Sequence, residues 1–278
     1  MLNFHRKTVL LAVLTLISAQ ISCVRAMSVV SFLDVGQGDC TIIQSAGHNM
    51  VIDTGPPGSW GSLDAQLNEH GIKRIDVLIL SHPHEDHDAN LGYLVEDIPI
   101  ETLIMPQYAD DEEDYGSLIR CAVGQGTRIV YPAVGDQFVV GDASVMVLSA
   151  ADPAKYPDDK NLWSIVLKIE DNETSIIVCG DAEDINEYAT IDAGLDLSAD
   201  ILRVGHHGSS TSTSGAFLDA VKPDVAIISC GADNPYGHPH AETLEALYDR
   251  QIVVLRTDLN GTITATIDAE AYKITKEK

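Results

Sequence analysis

The residues best equipped for chemistry stand together at Ser81-His82-Pro83-His84-Glu85-Asp86-His87, where three histidines and an aspartate fall within six positions. Imidazole and carboxylate are ligands that zinc and manganese take, and a transition metal needs three or four of them converging. Side chains two apart on extended backbone share a side, so His82 and His84 can point to one place. Asp86 and His87 follow where the chain turns into the apolar-periodic stretch Leu91 to Val95, and approach from another direction. The plainer alternative is a polar loop with no metal. Four donor side chains in six residues at the mouth of a strand weigh against it.

The same setting recurs. Seven of the ten histidines fall in three clusters that follow apolar runs: His82/His84/His87, His206/His207 and His238/His240. A further run, Thr174 to Cys179, ends in Gly180-Asp181. One histidine pair after a strand is usually a capped turn. Three clusters and an aspartate argue for a single polar focus, and hence for sheets whose loops converge at one edge.

The elements that must position these groups are legible from pattern. Val29 to Phe32, Cys40 to Ile43 and Met50 to Ile52 read as short strands joined by Gly-rich turns, an antiparallel meander. Leu63 to His70 reads as a helix closed by Gly71, and Ile75 to Leu80 as the buried strand that delivers the first cluster. Strands are expected at Ile100–Met105, Arg128–Tyr131, Gln137–Val140 and Ser144–Leu148, with the polar stretch Ala150–Lys160 as the handover between halves. The second half reads as strands Ser164–Ile169, Thr174–Cys179, Asp200–Val204 and Asp224–Ser229. Helices Glu183–Ile191, Ser214–Val221 and Glu242–Tyr248 separate or follow them, and three strands close the chain. Asp34, Asp39 and Asp53 stand at strand ends. They either terminate strands or orient metal-binding histidines through the second ring nitrogen, with Asp53 foremost. The acidic run Asp110–Asp114 reads as a solvated helix start.

Composition limits the partners. The chain has 278 residues, 45% of them hydrophobic, and a formal net charge of −25. Arg6 and Lys7 precede an apolar run, Thr8 to Ala19, and Val24-Arg25-Ala26 offers small residues for cleavage. Residues 1–26 therefore read as a secretory signal peptide, with lipid attachment at Cys23 the lesser alternative. Residues 27–278 then form one domain with 14 basic and 42 acidic residues, net −28. Such a surface does not draw in long nucleic acid by charge. It suits a secreted, extracellular protein. Cys40, Cys121, Cys179 and Cys230 are far apart in sequence and are expected as free thiols.

His82-x-His84-x-Asp86-His87 resembles the signature of the metallo-β-lactamase superfamily. Phe32-Leu33-Asp34-Val35-Gly36-Gln37-Gly38-Asp39, Gly180-Asp181, Val204-Gly205-His206-His207-Gly208-Ser209 and Tyr236-Gly237-His238-Pro239-His240 are similar to one branch of it. That branch contains the hydrolase domain of the DNA-uptake protein ComEC and stand-alone relatives. The resemblance covers about residues 28 to 270. It implies an αββα sandwich of mixed sheets with a two-metal site at one edge. It further implies that His82 and His84 hold one cation, that Asp86 and His87 hold another, and that Asp181 bridges them. The superfamily's usual histidine between His87 and Asp181 is missing, and Asn161 and Ser164 match the branch's pattern there. Either the first metal is then one ligand short or His206 completes it, and His238 is expected to complete the second. His207 and His240 are left for proton transfer or substrate contact, and Asn161 and Ser209 for substrate. Zinc is the first choice of metal and manganese the second.

Two cations about 3.5–4 Å apart lower the pKa of a shared water, and Asp86 and His207 are the expected catalytic groups. Phosphodiester hydrolysis is the leading expectation, on a small or short substrate, with nucleic acid still open. A lactam, lactone or thioester hydrolase is the enzyme alternative. A metal-containing binding module is the non-enzyme alternative, although structural zinc cages are closed and this set of donors is in excess.

Overall fold

The computed structural model describes residues 27–107 and 113–278. The expected signal peptide, Cys23 and Asp110 to Glu112 of the acidic run lie outside the described residues. In the first half the strands are β1 (Ser28–Phe32), β2 (Thr41–Ser45), β3 (His48–Ile52), β4 (Ile75–Ile79), β5 (Ile100–Ile104) and β6 (Arg128–Val130). Next come β7 (Gln137–Val140), β8 (Ala143–Ser149), β9 (Val166–Asp171), β10 (Thr174–Val178), β11 (Ile201–Arg203), β12 (Val225–Ile228) and β13 (Val253–Arg256). The last two are β14 (Ile263–Ile267) and β15 (Tyr272–Lys276).

They form two mixed sheets. One runs β15-β14-β1-β2-β3-β4-β5-β6, the other β13-β12-β11-β10-β9-β8-β7. The meander β1-β2-β3 is antiparallel, whereas β3 through β6 pair in parallel. The second sheet repeats the plan, antiparallel through β10 and parallel from β10 to β13. Parallel strands send their C-terminal ends the same way, and those ends carry the donor residues of both halves.

Strand alternation explains the layering. Val77 and Ile79 of β4 face the other sheet, while Leu78 and Leu80 face helices. On β10, Ile176 and Val178 face inward, and Ile177 and Cys179 face the helices behind. One apolar core thus lies between the sheets and one under each helical layer, giving αββα. Each fully buried Leu or Ile contributes about 1.5–3 kcal/mol.

One expectation shifts. The handover between sheets falls between β6 and β7, not at Ala150–Lys160, because β8 pairs antiparallel with β9 and so belongs to the second sheet. Glu113 and Asp114, the end of the acidic run, open a helix, Glu113–Gly124, as expected of a helix start. Cys40, Cys121, Cys179 and Cys230 are free, and burial first of all raises the thiol pKa of Cys40, Cys179 and Cys230, which keeps them from acting as nucleophiles.

Candidate metal centre

After Leu80 the backbone bends at His82 and Pro83, is extended at His84 (φ −110°, ψ 145°) and then makes a one-turn helix, Glu85–Asp88. This geometry puts His82 Nε2 3.0 Å from His84 Nδ1 and turns His87 back beneath them. His82 and His87 are fully buried. Their surroundings fix them. Asp53, at the end of β3 with φ +59°, accepts the Ser81 N–H and the Ser81 hydroxyl, each at 2.7 Å. It also accepts the His87 Nδ1–H at 2.7 Å, which aims His87 Nε2 into the centre. Thr54 donates its N–H to the His87 carbonyl at 2.6 Å. The Asp39 N–H donates to the Asp86 carbonyl at 3.1 Å, tying the Gly36–Asp39 turn to the same loop.

The second sheet supplies the rest. Gly180, at φ +53°, lets the chain after β10 turn where a Cβ would lie 2.7 Å from that of Ser81. Asp181 follows, its N–H donating to Ser164 Oγ at 3.0 Å. After β11, His206 and His207 both adopt left-handed backbone, φ 48° and 52°. His207 donates its Nδ1–H to the Ser229 carbonyl at 2.8 Å, so its Nε2 faces inward.

Two donor groups result, joined by Asp181: Asp86, His87, Asp181 and His207 form one, and His82, His84 and Asp181 the other. In the first, Asp181 Oδ1 is 3.1 Å from His87 Nε2 and 3.5 Å from His207 Nε2, and Asp86 Oδ2 is 3.2 Å from His207 Nε2. In the second, Asp181 Oδ2 is 3.8 Å from His82 Nε2. Tetrahedral donors at Zn–N distances of about 2.0–2.1 Å sit roughly 3.3 Å from one another, so these spacings fit. Asp181 Oδ1 is buried without a hydrogen-bond partner, the condition of an oxygen placed for a cation.

Charge states agree. Burial, then His87, holds His82 well below the ordinary histidine value, so it is neutral. Burial opposes ionisation of Asp181, yet His87 and His207 keep its carboxyl well below the usual range. Burial alone would depress His87, but Asp181 and Asp53 outweigh it and raise its pKa well above normal. The residues fit a divalent metal site.

A third group, Asp39, Asp53 and His87, also comes together, but Asp39 is committed elsewhere. Its Oδ2 meets Arg203 Nη2 at 2.6 Å, both side chains fully buried. Arg203 Nη1 donates to the carbonyls of Gly180 (2.7 Å) and Val204 (2.9 Å), bracing the strand end that carries Asp181. Arg203 was no candidate in the sequence, where it is one basic residue inside an apolar strand.

The remaining candidates divide. His207, expected for proton transfer or substrate contact, stands with Asp86, His87 and Asp181 in the donor group in which His238 was expected. The consecutive left-handed residues swing it inward, while Asn234 fixes His238 further out through its N–H (2.9 Å) and carbonyl (2.6 Å). Burial, followed by His207 and His206, pushes His238 down to about 4. His206 stands near the other group, its Nε2 3.8 Å from Asp181 Oδ2, as far as that of His82, and its Nδ1 is held by Glu183 at 3.2 Å. Asn161 lies beside it, Nδ2 to His206 Nε2 being 3.4 Å. An open pocket of about 370 Å³ is lined by Asp86, Asp181, His84, His206, His207, His238 and Asn161, together with Gln37, Glu85 and Tyr236. Ser209 and His240 do not line it. Ser209 Oγ accepts the Thr211 N–H within its turn, and His240 uses Nδ1 on the Ser210 N–H (2.9 Å) and Nε2 on the Tyr236 carbonyl (3.2 Å). A larger cleft, about 450 Å³, includes Arg74, Thr102 and Arg128 near the starts of β4, β5 and β6, and holds none of these donors.

Two mixed sheets between helices, with joined His/Asp groups at the strand ends, define a metal-dependent hydrolase scaffold. The chain belongs to the metallo-β-lactamase superfamily, whose pattern matches residues 33–232. ComE operon protein 3 of Bacillus subtilis is 34% identical over 260 residues, covering 87% of this chain and 33% of that protein. Recombination protein 2 of Haemophilus influenzae is 33% identical over 250 residues, covering 88% and 29%. The chain thus spans about a third of the length of these curated relatives. Among solved structures, the metallo-β-lactamase fold protein YhfI of Bacillus subtilis superposes with a TM-score of 0.57 at 15% identity, covering 90% of this chain and 99% of that one.

Proposed function

We propose that this protein is a phosphodiesterase using two divalent cations, zinc or manganese, on a small or short substrate. The carrying observation is the sharing of Asp181 between two donor groups at the floor of an open pocket. When bound, such a pair of ions supplies Lewis acidity and an activated water. The chain's own residues do the rest. His82, His84, Asp86, His87, Asp181 and His207 would hold the ions, with His206 beside the first of them, Asp53 and Ser229 fix the imidazoles, and Asn161 stands on the wall to contact substrate. A relative named for recombination supports a phosphodiester over a lactam or lactone. The acidic composition supports a short substrate over a long polyanion. Arg6-Lys7 and the apolar run behind them support action outside the cytoplasm.

A panel of a p-nitrophenyl phosphodiester, nitrocefin and an acyl-lactone tests this reading on the metal-loaded protein. Turnover of the diester alone, lost with bound metal in Asp181→Ala, is expected. Turnover confined to nitrocefin or the lactone, or full diesterase activity in metal-depleted Asp181→Ala, would overturn it.

A further inference from the structure

Tyr236 and Gln37 line the pocket beside Asp86 and His207 but have no part in holding a cation. Tyr236 is 64% exposed. A single exposed tyrosine is ordinary, but this ring is ordered. It stacks on His238 with centroids 5.6 Å apart and planes at 24°. His238 in turn lies at 26° to His207, centroids 6.2 Å apart. Three near-parallel rings therefore step outward from a metal-ligating imidazole to solvent. The middle one is pinned at both backbone groups by Asn234, whose Nδ2 also donates to the Gly231 carbonyl at 2.9 Å.

Gln37 approaches from the other half of the chain. Its Oε1 accepts the Gly231 N–H at 3.0 Å, which leaves Nε2 as a buried donor with no protein partner. His238 Nδ1 and Asn161 Oδ1 are also without partners. A buried donor left unmet is costly, so polar groups collected in one wall call for a polar ligand. Glu85 stands on the same rim as Asp86 and disfavours a second phosphate close by.

We propose that Tyr236, stacked on His238, is a platform for an aromatic base attached to the scissile phosphate, and that Gln37 contributes to the polar wall facing that phosphate. The substrate class is then a nucleoside phosphodiester carrying one base next to the reacting group, which rests on the phosphodiesterase reading and makes it specific. Base-on-aromatic stacking tolerates any base because each has a π-face, so the platform selects for a base without selecting its identity.

The test compares thymidine 5′-monophosphate with methyl phosphate by calorimetry on the full chain loaded with manganese. Wild type should bind the nucleotide roughly 5- to 160-fold more tightly, the range that stacking on one aromatic ring supplies. Tyr236→Ala should erase that gap with two metal equivalents still bound, and Tyr236→Phe should keep it. Equal affinities in wild type, no binding of either probe, or a gap that survives Tyr236→Ala would overturn the proposal. Failure of the phosphodiesterase reading looks different: a Tyr236-dependent gap would be present while the loaded protein cleaves no phosphodiester.

Discussion

Replacing Asp53 with asparagine isolates what a residue outside the ligand set does for the metal centre. Asp53 is fully buried and accepts three hydrogen bonds of 2.7 Å, from the Ser81 N–H, the Ser81 hydroxyl and His87 Nδ1–H. An asparagine keeps one acceptor, which the Ser81 N–H can retain, and the Ser81 hydroxyl can rotate to accept. His87 has no such freedom. Facing an amide N–H₂, it must move its proton to Nε2 to present an acceptor at Nδ1, and that removes the lone pair a cation needs. The lost charge acts in two directions. Asp53 helps His87 hold a proton, so its removal weakens that competitor, but a divalent ion feels the missing carboxylate about twice as strongly as a single proton does. The net effect is weaker metal binding by about 10- to 100-fold, or roughly 1.4–2.8 kcal/mol. A competition titration against a chromogenic chelator, with circular dichroism to confirm folding, measures it. Unchanged affinity in a folded Asp53→Asn protein would refute the reasoning.

Further outcomes follow from the same geometry. Arg203→Met leaves Asp39 as an uncompensated buried charge and should cost about 3–5 kcal/mol in chemical denaturation. Adding Asp39→Leu should recover a large part, whereas equal stability of the single variant and wild type would show the ion pair to be incidental. Asp76 has a carboxyl pKa below its ordinary value. Burial works against this, and the Asn49 N–H, His48 and Arg74 overcome it. A depressed acid stabilises the fold above its unfolded pKa, and that contribution disappears as pH falls through the folded one. Asp76→Asn should therefore flatten the acid limb of a stability–pH curve, and an unaltered limb would contradict the assignment.

The sequence reveals groups that lie close along the chain and conceals those that folding brings together. His82, His84, Asp86 and His87 could be read at once because one strand end carries all four. Asp181 could be read from its Gly-Asp strand terminus. The choice between His207 and His238 could not, since both follow strands and the decision rests on left-handed backbone at His206 and His207. Arg203 and Asp39 are 164 positions apart and meet only because β11 and the Gly36–Asp39 turn border the same strand end. Sheet membership of β7 and β8 was hidden for a related reason. Alternation marks a strand but not the sheet it joins, and that was set by pairing with β9.

The central claim is that Asp181 bridges two cations at the strand ends. Anomalous diffraction from manganese-loaded crystals, paired with elemental analysis of the same protein, tests it most directly. Two peaks about 3.5–4 Å apart are expected, one among His82, His84 and Asp181 and the other among Asp86, His87, Asp181 and His207. Metal bound elsewhere, or a saturated protein with Asp181 turned away from both peaks, would contradict it.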